Sequence, residues 1–158
     1  MFLFMPMLRE AHRSEAAEYE RGAERLFEAV TAAGASQAGL GEQVRSSLDA
    51  ALALLASDPA LARLLTLRPF IGDQALLESH RSWVGRYADQ LRRAARSSPG
   101  AIINPPFVEP AILGGVRFQI AKSVLAGQAE RLPELAPEMA RFLLCYYLPS
   151  QQATRFAA

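Results

Sequence analysis

The chain has 158 residues, 51% of them apolar and 21% charged, which is one domain's worth of sequence with enough apolar surface to build a core and excludes global disorder. Seventeen basic against sixteen acidic side chains leave a formal charge of +1, far from the basic balance of a free-standing nucleic-acid binder. Cys145 is the single cysteine, so neither an intramolecular disulfide nor a zinc site on paired cysteines can form, and a reducing cytoplasm fits best.

Residues 1–8 are an apolar N-terminal remnant. They lack a basic leader, contain Pro6 and run straight into Arg9-Glu10, which is not the pattern of a signal peptide. No apolar run approaches the ~18–20 residues of a membrane span. The expectation is a soluble cytoplasmic protein without a membrane partner.

Alanine and leucine dominate, β-branched residues are sparse, and Gly/Pro punctuation falls between helix-periodic segments, predicting an all-α chain of about six helices. The first spans residues 9–33, with Ala16, Tyr19, Ala23, Leu26, Phe27 and Val30 on one stripe and Glu15, Glu18, Arg21 and Arg25 mostly facing away. Leu40, Val44, Leu48, Leu52 and Leu55 mark a second helix ending near Ser57. Asp58-Pro59 reads as an N-cap and first-turn proline opening a short third helix with Leu61, Leu64 and Leu65. Pro69 and Gly72 break it. Asp73 can cap a fourth helix to about Arg96, with Leu77, His80, Val84, Tyr87 and Leu91 on one face and Arg92, Arg93 and Arg96 complementing the dipole of its last turn.

The proline-rich segment 97–106 is a surface connection. Glu109-Pro110 starts a fifth helix to about Gly127, and Pro133 a sixth to about Leu148. The domain is therefore residues 9–150, with 151–158 as a C-terminal tail. The fifth helix carries Ile112, Leu113, Val116, Phe118, Ile120, Val124 and Leu125 on almost every side, and such a helix is buried all round. A second copy of the chain could cover it together with the wide apolar arc of the sixth helix, Gly114-Gly115 permitting close approach in a two-fold four-helix interface. The alternative is a central core helix in a monomer. The interface residues expected are Ile112, Gly115, Val116, Gln119, Met139, Phe142, Leu143 and Tyr146.

Catalytic and metal-binding motifs are absent from the sequence. A di-iron bundle needs Glu-x-x-His pairs, but neither His12 nor His80 has a glutamate three residues before it. Neither a nucleophile elbow nor a phosphate loop is present, the lone lysine, Lys122, following Ala121. Gly39-Leu40-Gly41 lacks the third glycine and the preceding strand of a dinucleotide fingerprint. No metal, cofactor or enzymatic activity is expected. His80 could donate to a ligand in an apolar cavity or simply be satisfied in the core, and Phe70, Trp83, Tyr87 and Phe118 could line that cavity with it or be plain core. Cys145 reads as a small buried hydrophobe.

Four segments carry a family resemblance. The stretch Glu109-Pro110-Ala111-Ile112-Leu113-Gly114-Gly115-Val116, then Val124-Leu125-Ala126-Gly127, then Arg131-Leu132-Pro133-Glu134-Leu135-Ala136-Pro137-Glu138 and the closing Tyr146-Tyr147-Leu148-Pro149 resemble the last two helices of TetR/AcrR-type transcriptional regulators. Ser57-Asp58-Pro59-Ala60-Leu61-Ala62-Arg63-Leu64-Leu65 looks like the short mid-domain helix of the same C-terminal domain. The resemblance spans about residues 26–153. It implies a TetR-repressor-like ligand-binding and dimerisation domain, a homodimer whose last two helices make the four-helix interface. It further implies that a hydrophobic or amphipathic small-molecule effector shifts the first helix and so controls DNA binding. The family's helix-turn-helix would have to precede Arg9, where only about eight residues stand, so DNA is reached only through a missing head. The chain is then a truncated regulator or an orphan sensor domain. A headless interaction protein that pairs with a full-length relative, or a small helical enzyme, are the competing functions.

Overall fold

In the computed structural model, residues 4–71 and 74–157 are described, with side chains for 13–71 and 74–156. Helix α1 (Phe4–Ala35) turns through a short loop into α2 (Leu40–Ser57). The pair run antiparallel, Ser47 Oγ donating to the Val30 carbonyl at 3.1 Å, and Leu48, Leu52 and Leu55 of α2 are buried at the spacing of one helical face. Asp58 caps α3 (Pro59–Thr66) by accepting from the Leu61 amide at 3.0 Å, with Pro59 in the first turn where its missing N–H costs nothing. The chain then makes one helical turn, α4 (Arg68–Ile71), that the sequence pattern does not foretell, and enters α5 (Gln74–Arg96). Asp73, the expected cap of α5, lies outside the described residues.

Helix α5 runs parallel to α1, because Tyr19 meets His80 while Thr31, three turns further on, meets Gln90. After the connection 97–107 comes α6 (Val108–Leu125). It ends in a glycine-dependent cap: Gly127 has φ +69, its amide donates to Val124, and the Gln128 amide donates to Ser123. The connection is tied down rather than loose. Glu109 is fully buried and takes Arg92 Nη2 at 2.9 Å and the Tyr147 hydroxyl at 3.3 Å, so Arg92 serves an ion pair across helices and leaves Arg93 and Arg96 as the basic residues of the last turn of α5.

Three sequence expectations change from here. A 3-10 segment (Ala129–Leu135) replaces the predicted start of the sixth helix, and α7 is short (Ala136–Leu144); Pro137 has no N–H to continue a helix begun at Pro133, so the helix restarts at Ala136. Residues 150–157, most of them in the expected C-terminal tail of 151–158, are helical. They form α8 (Ser150–Thr154) and a 3-10 turn (Arg155–Ala157) whose Ala153 is buried, whose Phe156 ring sits on Gly41, and whose Phe156 carbonyl accepts from Arg45 Nη1 at 2.8 Å. The N-terminal apolar segment is likewise helical from Phe4. No strand occurs among the described residues, and no helix among them is long and apolar enough to cross a membrane.

Candidate ligand cavity and the exposed helix face

A cavity of about 370 Å3 lies between α1, α2, α5 and α6, within the ~300–1,000 Å3 range of small-molecule sites. Its long walls are the stripe Tyr19, Ala23, Leu26 and Val30 of α1 and the stripe His80, Val84, Tyr87 and Leu91 of α5, both spaced at threes and fours so that each lies on one helical face. From His80 to Gln90 those walls extend about 15 Å at the helical rise of ~1.5 Å per residue. Val44, Leu48, Ala51 and Leu55 of α2 close one side, and Leu113, Val116, Arg117 and Ile120 of α6 the other.

Polar groups collect at the two ends. At one end Gln90 Nε2 donates to Thr31 Oγ1 at 3.1 Å. At the other, the Tyr19 hydroxyl and His80 Nδ1 lie 3.2 Å apart, and Arg117 Nη1 donates to the Thr66 carbonyl at 3.0 Å. Burial, reinforced by the positive charge of Arg117, lowers the His80 pKa from 6.5 to about 4, so its ring is neutral at physiological pH. Burial also raises the hydroxyl pKa of Tyr19 and Tyr87, with the charge of Glu20 adding to the first. Between the ends, the Tyr87 hydroxyl is buried and has no hydrogen-bond partner among the described residues.

Of the pocket residues expected from the sequence, His80, Trp83 and Tyr87 line this cavity. Trp83 is buried and is held by a bond from Nε1 to Glu20 Oε2 at 2.9 Å, by the Phe27 ring at 5.7 Å and by the Arg86 guanidinium at 4.1 Å. Phe70 is 49% exposed and outside the lining; it meets His80 edge-on at 5.0 Å and carries the Arg117 guanidinium 3.9 Å above its ring. Phe118 is not a cavity residue. It is 59% exposed and stands on the far side of α6, in a groove with Gly115, Gln119, Met139 and Phe142. Tyr19 and Arg117 were missed as site residues, Tyr19 because it sits in an ordinary core stripe and Arg117 because it interrupts an apolar helix with nothing in the sequence to show which wall it joins.

The expected interface residues divide in the same way. Ile112, Met139 and Leu143 are buried within the single chain, and Val116 and Leu143 line the cavity. Gly115, Gln119, Phe142 and Tyr146 share the other side with Phe118, where Phe142 and Tyr146 pack edge-to-face at 5.7 Å. The expectation that α6 is buried all round therefore fails for one chain: Phe118 and Leu125, the latter 73% exposed, are left uncovered by the described residues. Cys145 is also exposed, not buried, its thiol 2.9 Å from the Phe142 carbonyl.

A Cβ on Gly115 would approach the Phe142 ring to 3.2 Å, so this glycine seats α7 on α6; one on Gly114 would meet nothing within 4 Å. No group of three or more His, Cys, Asp or Glu side chains that could hold a metal ion occurs among the described residues. Comparison with protein-family models, curated proteins and solved structures finds no match to this chain in any of the three.

Proposed function

We propose that the chain is the effector-sensing and dimerisation domain of a TetR-type transcriptional repressor. It holds a hydrophobic or amphipathic small molecule in the cavity between α1, α2, α5 and α6, and pairs two-fold through α6 and α7. The observation that carries the sensing half is the cavity itself: apolar walls with polar groups at its ends and a buried Tyr87 hydroxyl lacking a partner among the described residues. An unpaired buried hydroxyl destabilises a fold, and a ligand that bonds it removes that cost.

The pairing half is supported by the uncovered face of Phe118, Leu125, Phe142 and Tyr146. Contiguous exposed apolar surface of this kind marks interaction sites. Gly114 adds a second reason. A glycine in a helix interior costs about 1 kcal/mol relative to alanine, and no neighbour among the described residues requires it. A second α6 crossing at that point would use the missing side chain. The same face offers both a protruding Phe118 and a groove beside it, which suits an isologous contact.

Coupling of the two halves follows from α6, which presents Val116 and Arg117 to the cavity and Phe118 to the outside. A ligand shifts the pairing, or the α1 wall, only as far as its affinity differs between the two arrangements. Native mass spectrometry of the purified protein tests both halves together. A dimer carrying additional mass that is lost on denaturation is the expected result, with Phe118→Glu reducing it to monomer. A bare monomer, or a dimer indifferent to Phe118→Glu, would refute the pairing.

A further inference from the structure

Arg117 is the unusual member of the cavity lining. It projects from an otherwise apolar stretch of α6 onto a largely hydrocarbon wall, yet no carboxylate pairs with it among the described residues. The salt bridges among the described residues involve other arginines: Arg25, Arg45, Arg68, Arg92 and Arg131. What holds Arg117 is one hydrogen bond to the Thr66 carbonyl and the face of Phe70. A guanidinium carries five N–H donors in a planar fork suited to a carboxylate, so most of its bonding capacity is unspent on the protein. Partial burial pushes its pKa down, the sign of a charge short of compensation.

The surroundings point the same way. His80 stands beside Arg117 and is neutral, so it adds no competing positive charge. The Tyr19 hydroxyl and His80 Nδ1 share a hydrogen bond at 3.2 Å; in the tautomer in which the hydroxyl donates, the imidazole proton sits on Nε2 and supplies one more donor at this end of the cavity. Among the described residues no acidic side chain lines the cavity. Beyond this end come Trp83 and Val84, then the Tyr87 hydroxyl, unpartnered among the described residues, about 10 Å along α5 from His80 at helical rise.

We infer that the ligand of this cavity is an apolar monocarboxylate, its carboxylate bound by Arg117 beside His80 and its hydrocarbon body lying between α1 and α5. The inference rests on the cavity being a ligand site and adds the chemical class that fills it. Arg117 acts as the anion receptor, and Phe70 braces it from outside: the ring occupies one face of the guanidinium, which leaves the edges of the fork for the ligand. A ligand with a second polar group about 10 Å from the carboxylate would also satisfy Tyr87.

The test uses three probes with the same ten-carbon chain, sodium decanoate, 1-decanol and decyltrimethylammonium, each below its micelle-forming concentration. Binding is read by calorimetry and by the fluorescence of Trp83, the single tryptophan. Decanoate should bind roughly tenfold to hundredfold more tightly than decanol, the range for a charge-assisted bond in a partly dry site, and decyltrimethylammonium most weakly. Arg117→Met should bring decanoate down to the affinity of decanol and leave decanol little changed, while Arg117→Lys keeps part of the preference. Ala51→Phe, which fills the cavity from α2, should weaken all three.

Equal or better binding of decanol in the unmodified protein, still blocked by Ala51→Phe, would overturn the carboxylate assignment and leave the cavity as a ligand site. Absence of binding by every probe, or binding that ignores Ala51→Phe, would remove the cavity reading and this inference with it. The ranking of the three probes on the unmodified protein decides the matter even if Arg117→Met fails to fold.

Discussion

Replacing Tyr87 by phenylalanine should make the ligand-free protein more stable, the opposite of what trimming a buried side chain usually does. The hydroxyl is buried without a partner among the described residues, and leaving such a group unsatisfied costs about 1–3 kcal/mol. Phenylalanine removes the polar atom and keeps the ring, so the edge-to-face contact with Phe27 at 5.1 Å survives and the volume lost is that of one oxygen. Since the missing oxygen also forfeits some packing, the net gain should be about 1–2 kcal/mol, a rise in Tm of roughly 3–6 °C for a chain of this length. Urea denaturation followed by both circular dichroism and Trp83 fluorescence would measure it. The same variant should bind more weakly to a ligand that uses the hydroxyl, so stability and affinity move in opposite directions. A Tyr87→Phe protein less stable than the parent by 1 kcal/mol or more would refute the reasoning, because it would mean that the hydroxyl is bonded in the folded state.

His80 should make the fold sensitive to mild acid. Its pKa falls from 6.5 to about 4 on folding; above 6.5 the ring is neutral in both states and costs nothing, whereas between 6.5 and 4 the unfolded chain takes up a proton that the folded one does not. Stability should therefore decline as pH drops through that window, by about 1–2 kcal/mol once partial exposure is allowed for, and His80→Asn should flatten the slope measured by urea titration from pH 7.5 to 4.5. Tyr147→Phe removes one of the bonds to the buried Glu109 carboxylate and should cost about 1–2 kcal/mol in the same assay; no change would show the carboxylate content with Arg92 alone. Gly41→Ala would put a Cβ 2.0 Å from the Phe156 ring and should expel the C-terminal segment, raising hydrogen exchange over residues 150–156 at an overpacking cost of about 1–3 kcal/mol. Adding Phe156→Ala should recover most of that cost, and failure to do so would place the strain elsewhere.

Local chemistry explains which parts of this structure were legible in the sequence. The Asp58-Pro59 start, the α2 stripe from Leu40 to Leu55 and the glycine stop after α6 are each decided by residues within a turn or two of one another, and periodicity with capping rules reads them directly. The same holds for one wall of the cavity, because His80, Trp83 and Tyr87 are neighbours on a single helix face. What failed needed knowledge of the opposite side. A helix that is apolar all round announces only that both of its faces avoid water, so Phe118 could be assigned to the cavity and Leu143 to the outside when the structure has them reversed. Deciding which face of α6 meets α5 requires the rotation of the helix, and that is set by Glu109.

The carboxylate of Glu109 must reach both Arg92 on α5 and Tyr147 after α7, which turns its side of α6 inward. Ile112, Val116 and Ile120 follow at steps of three, four and four, and Arg117 comes with them to the cavity edge. Phe118, next in sequence, is then rotated about 100° away. A single buried polar group, legible only as an acidic residue in the first turn of a helix, thus determines which apolar residues enclose the cavity and which are left for a partner.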